Sequence, residues 1–229
     1  MGDWTVVVPA KPLATAKSRL APPGGVDRQL LVLAMLLDTV TAADSCPQVA
    51  RLVVVTCDPI LGSEAQRYGA EIIQEPWPTG LNQSLAQVMP RLSTTRRVAV
   101  VTSDLPALRP QDLDAVLRTA HDSPRGLVPD AAGTGTTMLT ARTPDRLQPA
   151  FGAGSALRHR RAGAEIISAP ASARRDVDTW PDLLAAARLG IRGHTATALG
   201  PASARAANQY PHSSQHTHPQ ESPHVPLAG

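Results

Sequence analysis

Short apolar runs alternate with helix-like segments along most of this chain, and that alternation restricts it to a narrow set of folds. The strand-like runs fall at residues 4–8, 51–56, 70–74, 98–102, 126–128, 136–140 and 164–168. Helix-like segments lie between several of them, at 27–43, 62–68, 81–92, 110–120, 155–162 and 179–189. Strands and helices taken in turn predict an α/β fold with a mixed, mainly parallel sheet. The spacing is too irregular for an internal repeat. At 229 residues, 42% of them apolar, the chain can bury one good core. A single domain over residues 1–200 is therefore expected. From Pro201 the pattern stops, and residues 201–229, rich in Pro, Ser, His and Gln, read as a disordered tail. His212, His216, His218 and His224 lie in that tail, where a weak metal site and a solvated low-complexity segment are both open readings.

Composition excludes several classes of function. No stretch approaches the roughly 18 apolar residues of a membrane span, and the first residues lack the pattern of a signal peptide. A cytoplasmic protein with no membrane partner is expected. The net charge is only +3, and basic residues are scattered apart from groups at 11–19 and 158–161. This favours small phosphorylated ligands over nucleic acid. Cys46 and Cys57 show neither metal-ligand spacing nor the density of a disulfide scaffold, so they read as structural thiols.

The chemistry concentrates in a few segments. In Val98-Ala-Val-Val-Thr-Ser-Asp-Leu-Pro106 a buried run ends in Asp104, and Leu105-Pro106 stops the strand. Asp104 then sits at the carboxyl edge of a sheet, where open α/β folds place ligands. Asp176 and Asp178 are two residues apart, a spacing that turns both carboxylates the same way in an extended segment. Asp104, Asp176 and Asp178 together make a plausible magnesium site. Lys11, Lys17 and Arg19 gather after the first strand, either to hold nucleotide phosphates or as a solvated surface. Gly133-Thr-Gly-Thr-Thr137 and Phe151-Gly-Ala-Gly-Ser155 could receive an anion, or could be ordinary turns and a helix cap. In the turn-rich segment Gln74-Glu-Pro-Trp-Pro-Thr-Gly-Leu-Asn-Gln83, Asn82 and Gln83 could read a base edge and Glu75 could accept from a guanine, while Gly80 or Asn82 could equally only start a helix. The basic loop is neither a Walker loop nor a dinucleotide fingerprint. With no Gly-x-Ser-x-Gly elbow, no His-Glu-x-x-His helix and only His121-Asp122 pairing a histidine with an acid before the tail, covalent catalysis is disfavoured.

In their order along residues 4–195, these segments resemble the phosphoenolpyruvate / 2-phospho-L-lactate guanylyltransferase family of coenzyme F-420 biosynthesis. The resemblance rests on the 9–20 basic loop, Glu75-Pro, Gly80-Leu-Asn, Ser103-Asp-Leu-Pro, Gly133-Thr-Gly-Thr-Thr, Phe151-Gly-x-Gly-Ser and Asp176-Val-Asp-Thr. It implies a Rossmann-like, glycosyltransferase-A-like nucleotidyltransferase domain that moves GMP from GTP onto a phosphorylated acceptor, with a downstream F-420 enzyme to take the product. Thr137, Gly152 and Ser155 would bind phosphoenolpyruvate, and Asp104, Asp176 and Asp178 would hold Mg2+. Lys11, Lys17, Arg19, Glu75, Gly80 and Asn82 would serve the nucleotide, with Asp104, Lys17 and Arg19 at the reaction itself. High Ala, Arg and Pro usage suits the actinobacterial type, for which the resemblance implies phosphoenolpyruvate. Phospholactate as acceptor, a molybdenum-cofactor or cytidylyl transferase, and a non-catalytic nucleotide-binding module are the alternatives.

Overall fold

The computed structural model describes residues 2–23, 26–74, 80–92, 94 and 96–200. Glu75 and the whole 201–229 tail, with its histidines, lie outside the described residues. Strands β1 (Trp4–Pro9), β2 (Val49–Thr56), β3 (Glu71–Gln74) and β4 (Arg97–Val101) run parallel. Beyond β4 lie β6 (Thr136–Ala141), β5 (Arg125–Pro129) and β7 (Glu165–Ile166), giving the order β3-β2-β1-β4-β6-β5-β7. Strand β6 is antiparallel to both neighbours, while β5 and β7 are parallel. The expected mixed, mainly parallel sheet is the one observed.

Helices α1 (Arg28–Asp44), α2 (Pro59–Arg67), α3 (Leu81–Val88), α4 (Pro110–Thr119), α5 (Ser155–Arg161), α6 (Ala171–Arg174) and α7 (Trp180–Arg188) cover the sheet. Along the central strands the side chains alternate between two cores. Val6, Val8, Leu52, Val54, Ala99 and Val101 pack with α1, α2 and α4. Their neighbours Val7, Val53, Val55, Val98 and Val100 pack on the other face with Leu85 and Val88 of α3 and Ala156 of α5. Burial on both faces explains why these strands read as continuous apolar runs rather than as alternating ones.

Local chemistry sets the element ends, and several differ from the sequence reading. Helix α2 starts at Pro59 instead of 62, because Asp58 caps it, accepting from Ile60 and Leu61 N–H at 2.9 and 3.2 Å. The segment 81–92 is not one helix. After Val88 it tightens into a 3-10 turn, Met89–Leu92, that contains Pro90, a residue without the N–H a continuing helix would use. The short α6 went unread, and β7 is only two residues long. Thr179 caps α7 in a full capping box with Asp182.

Residues 191–200 return to pack beside α1, and one buried carboxylate secures them. Asp38 of α1 accepts from the His194 and Thr195 N–H groups at 2.8 and 2.9 Å. Burial pushes its pKa up, and these hydrogen bonds oppose that rise. Asp38→Ala is expected to destabilise the protein by about 1–3 kcal/mol, the usual cost of orphaning such bonds, read as a lowered urea midpoint with an unchanged slope.

Candidate active site

The strand order places the switch point at β1, whose neighbours β2 and β4 follow from connections running in opposite directions. Crevices at the carboxyl ends of such strands are the binding sites of open α/β sheets. Here the crevice is a cleft of about 280 Å³ bordered by Lys11, Lys17, Arg19, Ser103, Asp104 and Asp178. A second hollow of about 190 Å³ adjoins it along Ala10, Cys57, Gly80, Leu81 and Ser84.

The basic loop after β1 is built rather than loose. Asp58, besides capping α2, accepts from Leu13 N–H at 2.9 Å, and the Arg28 guanidinium donates to the carbonyls of Leu13, Ala14 and Ala16. Lys17 adopts a left-handed backbone, φ +52°, which a non-glycine residue keeps only when its surroundings demand it. Its ammonium donates to Asp104 Oδ2 and, at 2.6 Å, to Asp178 Oδ1. Arg19 reaches the other oxygen of Asp178 at 2.7 Å from an exposed position.

Asp176 and Asp178 flank Val177, which is fully buried and whose N–H donates to the Asp104 carbonyl at 3.1 Å. That bond draws the segment up against β4. The two acids have opposite electrostatics. Burial pushes Asp176 up, the negative charge of Asp104 adds to this, and its pKa reaches about 7. Asp178 is also raised by burial, but the Lys17 hydrogen bond and charge outweigh this and hold it below the usual value. Burial would lower the Lys17 pKa as well, yet Asp104 and Asp178 prevail and keep it above its ordinary value.

The three acids therefore meet at one edge without forming a ready-made cage; among the described residues no three acids, histidines or cysteines are grouped as metal ligands. What they offer is a partly neutralised pocket. Asp104 Oδ1 is buried with no hydrogen-bond partner, and Asp176 is destabilised as an anion beside it. Both observations fit a hard cation, which would satisfy the orphaned oxygen and relieve the repulsion.

The segments expected to receive the acceptor lie at the same edge because β6 is antiparallel. Its first residues stand beside the last of β4, with Thr102 N–H donating to Thr137 O at 2.9 Å. The Thr137 hydroxyl is fully buried and donates to Ala173 O at 2.7 Å, tying β6 to α6 just ahead of Asp176. Ser155 begins α5 and donates to the Thr136 hydroxyl at 3.1 Å. Gly152 has φ +117°, a conformation that favours glycine. The Gly133-to-Thr137 loop receives an anion of the protein's own. Asp130, which the sequence reading missed, accepts from Thr134 and Gly135 N–H at 2.9 and 2.8 Å. A Cβ at Gly135 would lie 2.4 Å from that carboxylate.

Gly80 caps α3 at φ +94° with open space around it. Asn82 is the second residue of α3, beside the cleft-lining Leu81, and its amide engages the backbone of Phe151. Asp58, Arg28 and His159 also went unread. A sequence signal existed only for Asp58, as Asp-Pro at a helix start.

A family model described as CofC-like guanylyl transferase matches residues 4–167. The chain belongs to this family. A protein of Geodermatophilus obscurus named phosphoenolpyruvate guanylyltransferase is 49% identical over 207 residues, 87% of this chain and 95% of the relative. Its namesake in Streptomyces coelicolor is 46% identical over 200 residues, 85% of this chain and 94% of the relative. Solved structures agree on the fold. A Desulfovibrio desulfuricans protein provisionally described as a nucleotide-diphospho-sugar transferase superposes with a TM-score of 0.66 at 18% identity, covering 90% of this chain and 99% of its own. A 4-diphosphocytidyl-2C-methyl-D-erythritol synthase gives 0.57 at 12% identity, over 82% and 98%. The fold is thus that of the nucleotidyltransferases.

The raised Asp176 pKa gives a pH-dependent prediction. Above pH 7 the group is charged in both the folded and unfolded chain, so the folded state bears the whole cost of burying that charge. As pH falls through about 7, the folded state takes up a proton that the unfolded state, with the ordinary value of 3.8, does not, and wild-type stability recovers. Asp176→Asn is expected to stabilise the metal-free protein by about 1–3 kcal/mol at pH 8 and by less at pH 5. Urea unfolding in chelator at both pH values measures the difference.

Proposed function

We propose that this protein transfers GMP from GTP to the phosphate of phosphoenolpyruvate, giving enolpyruvyl-diphospho-guanosine and pyrophosphate in coenzyme F-420 biosynthesis. One observation supports the reading: the basic loop and Asp104 line one cleft at the switch point, and the Thr137 segment joins the same sheet edge through Thr102. The names of the Geodermatophilus and Streptomyces relatives support phosphoenolpyruvate over phospholactate as acceptor.

The chemistry needs little from side-chain acids and bases. A phosphate monoester, with a second pKa near about 6, is largely dianionic at neutral pH and attacks the α-phosphorus without a general base. The new P–O bond forms as the bond to pyrophosphate breaks, and no proton need move. Catalysis then rests on positioning and on neutralising charge between two anions. Lys11, Lys17 and Arg19 would hold the triphosphate, with Lys17 already fixed at the acid edge by Asp104 and Asp178. Asp104, Asp176 and Asp178 would hold magnesium, which when bound supplies Lewis-acid neutralisation of phosphate oxygens. Gly152 and Ser155 would bound the acceptor, and Thr137 would keep β6 and α6 in register beneath it. Gly80 would line the nucleotide side. A cytoplasmic location, with the product passed to a later F-420 enzyme, completes the proposal.

Mass spectrometry after incubation with GTP, magnesium and each acceptor in turn tests the reading; a diphosphate-linked product with phospholactate alone, or with CTP in place of GTP, would overturn it. Asp104→Asn is expected to lower kcat at least about 100-fold while leaving the circular dichroism spectrum unchanged, because the amide keeps the shape and loses the charge. Gly152→Val, which forces a β-branched side chain onto a backbone at φ +117°, and Ser155→Ala, which removes the donor to the Thr136 hydroxyl, are each expected to raise the acceptor KM at least about 10-fold, with the GTP KM held within about twofold. Steady-state kinetics with each substrate varied separately checks that split.

A further inference from the structure

The backbone N–H and C=O of one residue, Phe151, are both gripped by a side chain from a helix 69 positions earlier. Asn82 Nδ2 donates to Phe151 O at 3.0 Å, and Asn82 Oδ1 accepts from Phe151 N–H at 2.7 Å. A primary amide presents a donor and an acceptor side by side, which is the pattern of a peptide edge, so the pair closes as two strands would. Aspartate could keep the N–H but would set a carboxylate oxygen against a carbonyl oxygen. Alanine would keep neither bond.

The grip belongs to a larger arrangement around the same loop. Arg158 of α5 donates to Ala150 O from Nε and Nη2 and to Ala153 O from Nη1, at 2.6 to 3.1 Å. His159 is fully buried, and its Nε2 accepts from Ala150 N–H at 2.9 Å. The ring proton is thereby assigned to Nδ1, which donates to the Thr136 hydroxyl at 2.9 Å, the same hydroxyl that accepts from Ser155. The Phe151 ring packs edge-on to that imidazole with centroids 5.2 Å apart. Side chains of α5 thus hold the loop from its own side. Asn82 holds it from α3, whose first residue Leu81 borders the cleft and whose cap Gly80 borders the adjoining hollow.

We infer that Asn82 is a positioning residue that sets the Phe151–Ser155 loop for the phosphorylated acceptor from the helix that walls the nucleotide cleft, and that it does not read the base. The inference rests on the proposed guanylyl transfer for the identity of the acceptor alone. The loop's geometry is independent of it. With Asn82 removed, Phe151 loses both partners from α3, and the loop is held by the α5 side chains and by the Thr136 hydroxyl of β6.

The test uses the full-length protein with Asn82→Ala and Asn82→Asp. Amide hydrogen exchange by NMR, without substrates, is expected to show Phe151 N–H exchanging at least about 10-fold faster in Asn82→Ala, with strand β1 amides unchanged. Asn82→Asp keeps that acceptor and should protect Phe151 more than alanine does. In kinetics both variants are expected to raise the acceptor KM at least about 10-fold and to leave the GTP KM within about twofold. A raised GTP KM with an unchanged acceptor KM would make Asn82 a nucleotide contact and overturn the inference. Unchanged Phe151 exchange in Asn82→Ala would overturn it too, and this arm needs no turnover. Wild-type enzyme that ignores phosphoenolpyruvate would instead sink the functional reading, leaving the exchange result to decide the clamp.

Discussion

The central strands are buried on both faces, and this constraint governs where everything polar can go. Val6, Val7, Val8, Val53, Val54 and their neighbours in β4 leave no wet surface along the sheet. Charged groups are therefore confined to strand ends, where the backbone turns out of the core and hydrogen bonds to carboxylates replace those of the ladder. The carboxyl edge at β1 and β4 is the end that the chain exploits. Asp104 stands there almost buried, and burying a carboxylate is tolerable only with compensating charge. Lys17 supplies it, with Asp178 and Arg19 extending the pair into a chain of alternating charge.

The same edge is deliberately incomplete. Lys17 satisfies one oxygen of Asp104 and leaves the other orphaned, while Asp176 has its ionised form disfavoured by its neighbours. A scaffold selected only for stability would not keep such a pair of acids together. A site for polyanions and a hard cation gains from it, since charge arriving with the ligand removes the penalty. The surrounding loops are correspondingly stiff. Arg28 and Asp58 fix the basic loop, Asp130 fixes the Gly133–Thr137 turn, and Asn82, Arg158 and His159 fix the Phe151 loop.

Much of the fold was legible because burial writes itself into composition. The central strands β1, β2 and β4 are rich in Val, and helix starts such as Thr179-Trp-Pro-Asp carry their capping chemistry in four residues. Less regular stretches were harder. Pro90 split a helix whose apolar period continues through it, and the short α6 has too few residues to show a period. Functional groups were legible where an acid or base breaks an apolar pattern, as Asp104 does. Arg28, Asp130 and His159 were invisible, since each acts on backbone groups far from it or in a different turn, and nothing in its own neighbours marks that role.

The sequence by itself determined the α/β class, the alternation that makes the sheet mainly parallel, and the family, because these depend on local periodicity and on motif order. Only the tertiary structure decided that β6 runs against its neighbours, which brings Thr137 and Ser155 to the same edge as Asp104. It alone divided three similar aspartates into one paired with a lysine and orphaned at one oxygen, one raised towards neutrality and one held as a firm anion. It also gave the Asn82 amide to Phe151 in place of the cleft. The physical reason is common to all three. Strand direction, desolvation and hydrogen-bond partnership are properties of neighbours in space, and residues 69 to 161 positions apart acquire such neighbours only when the chain has folded.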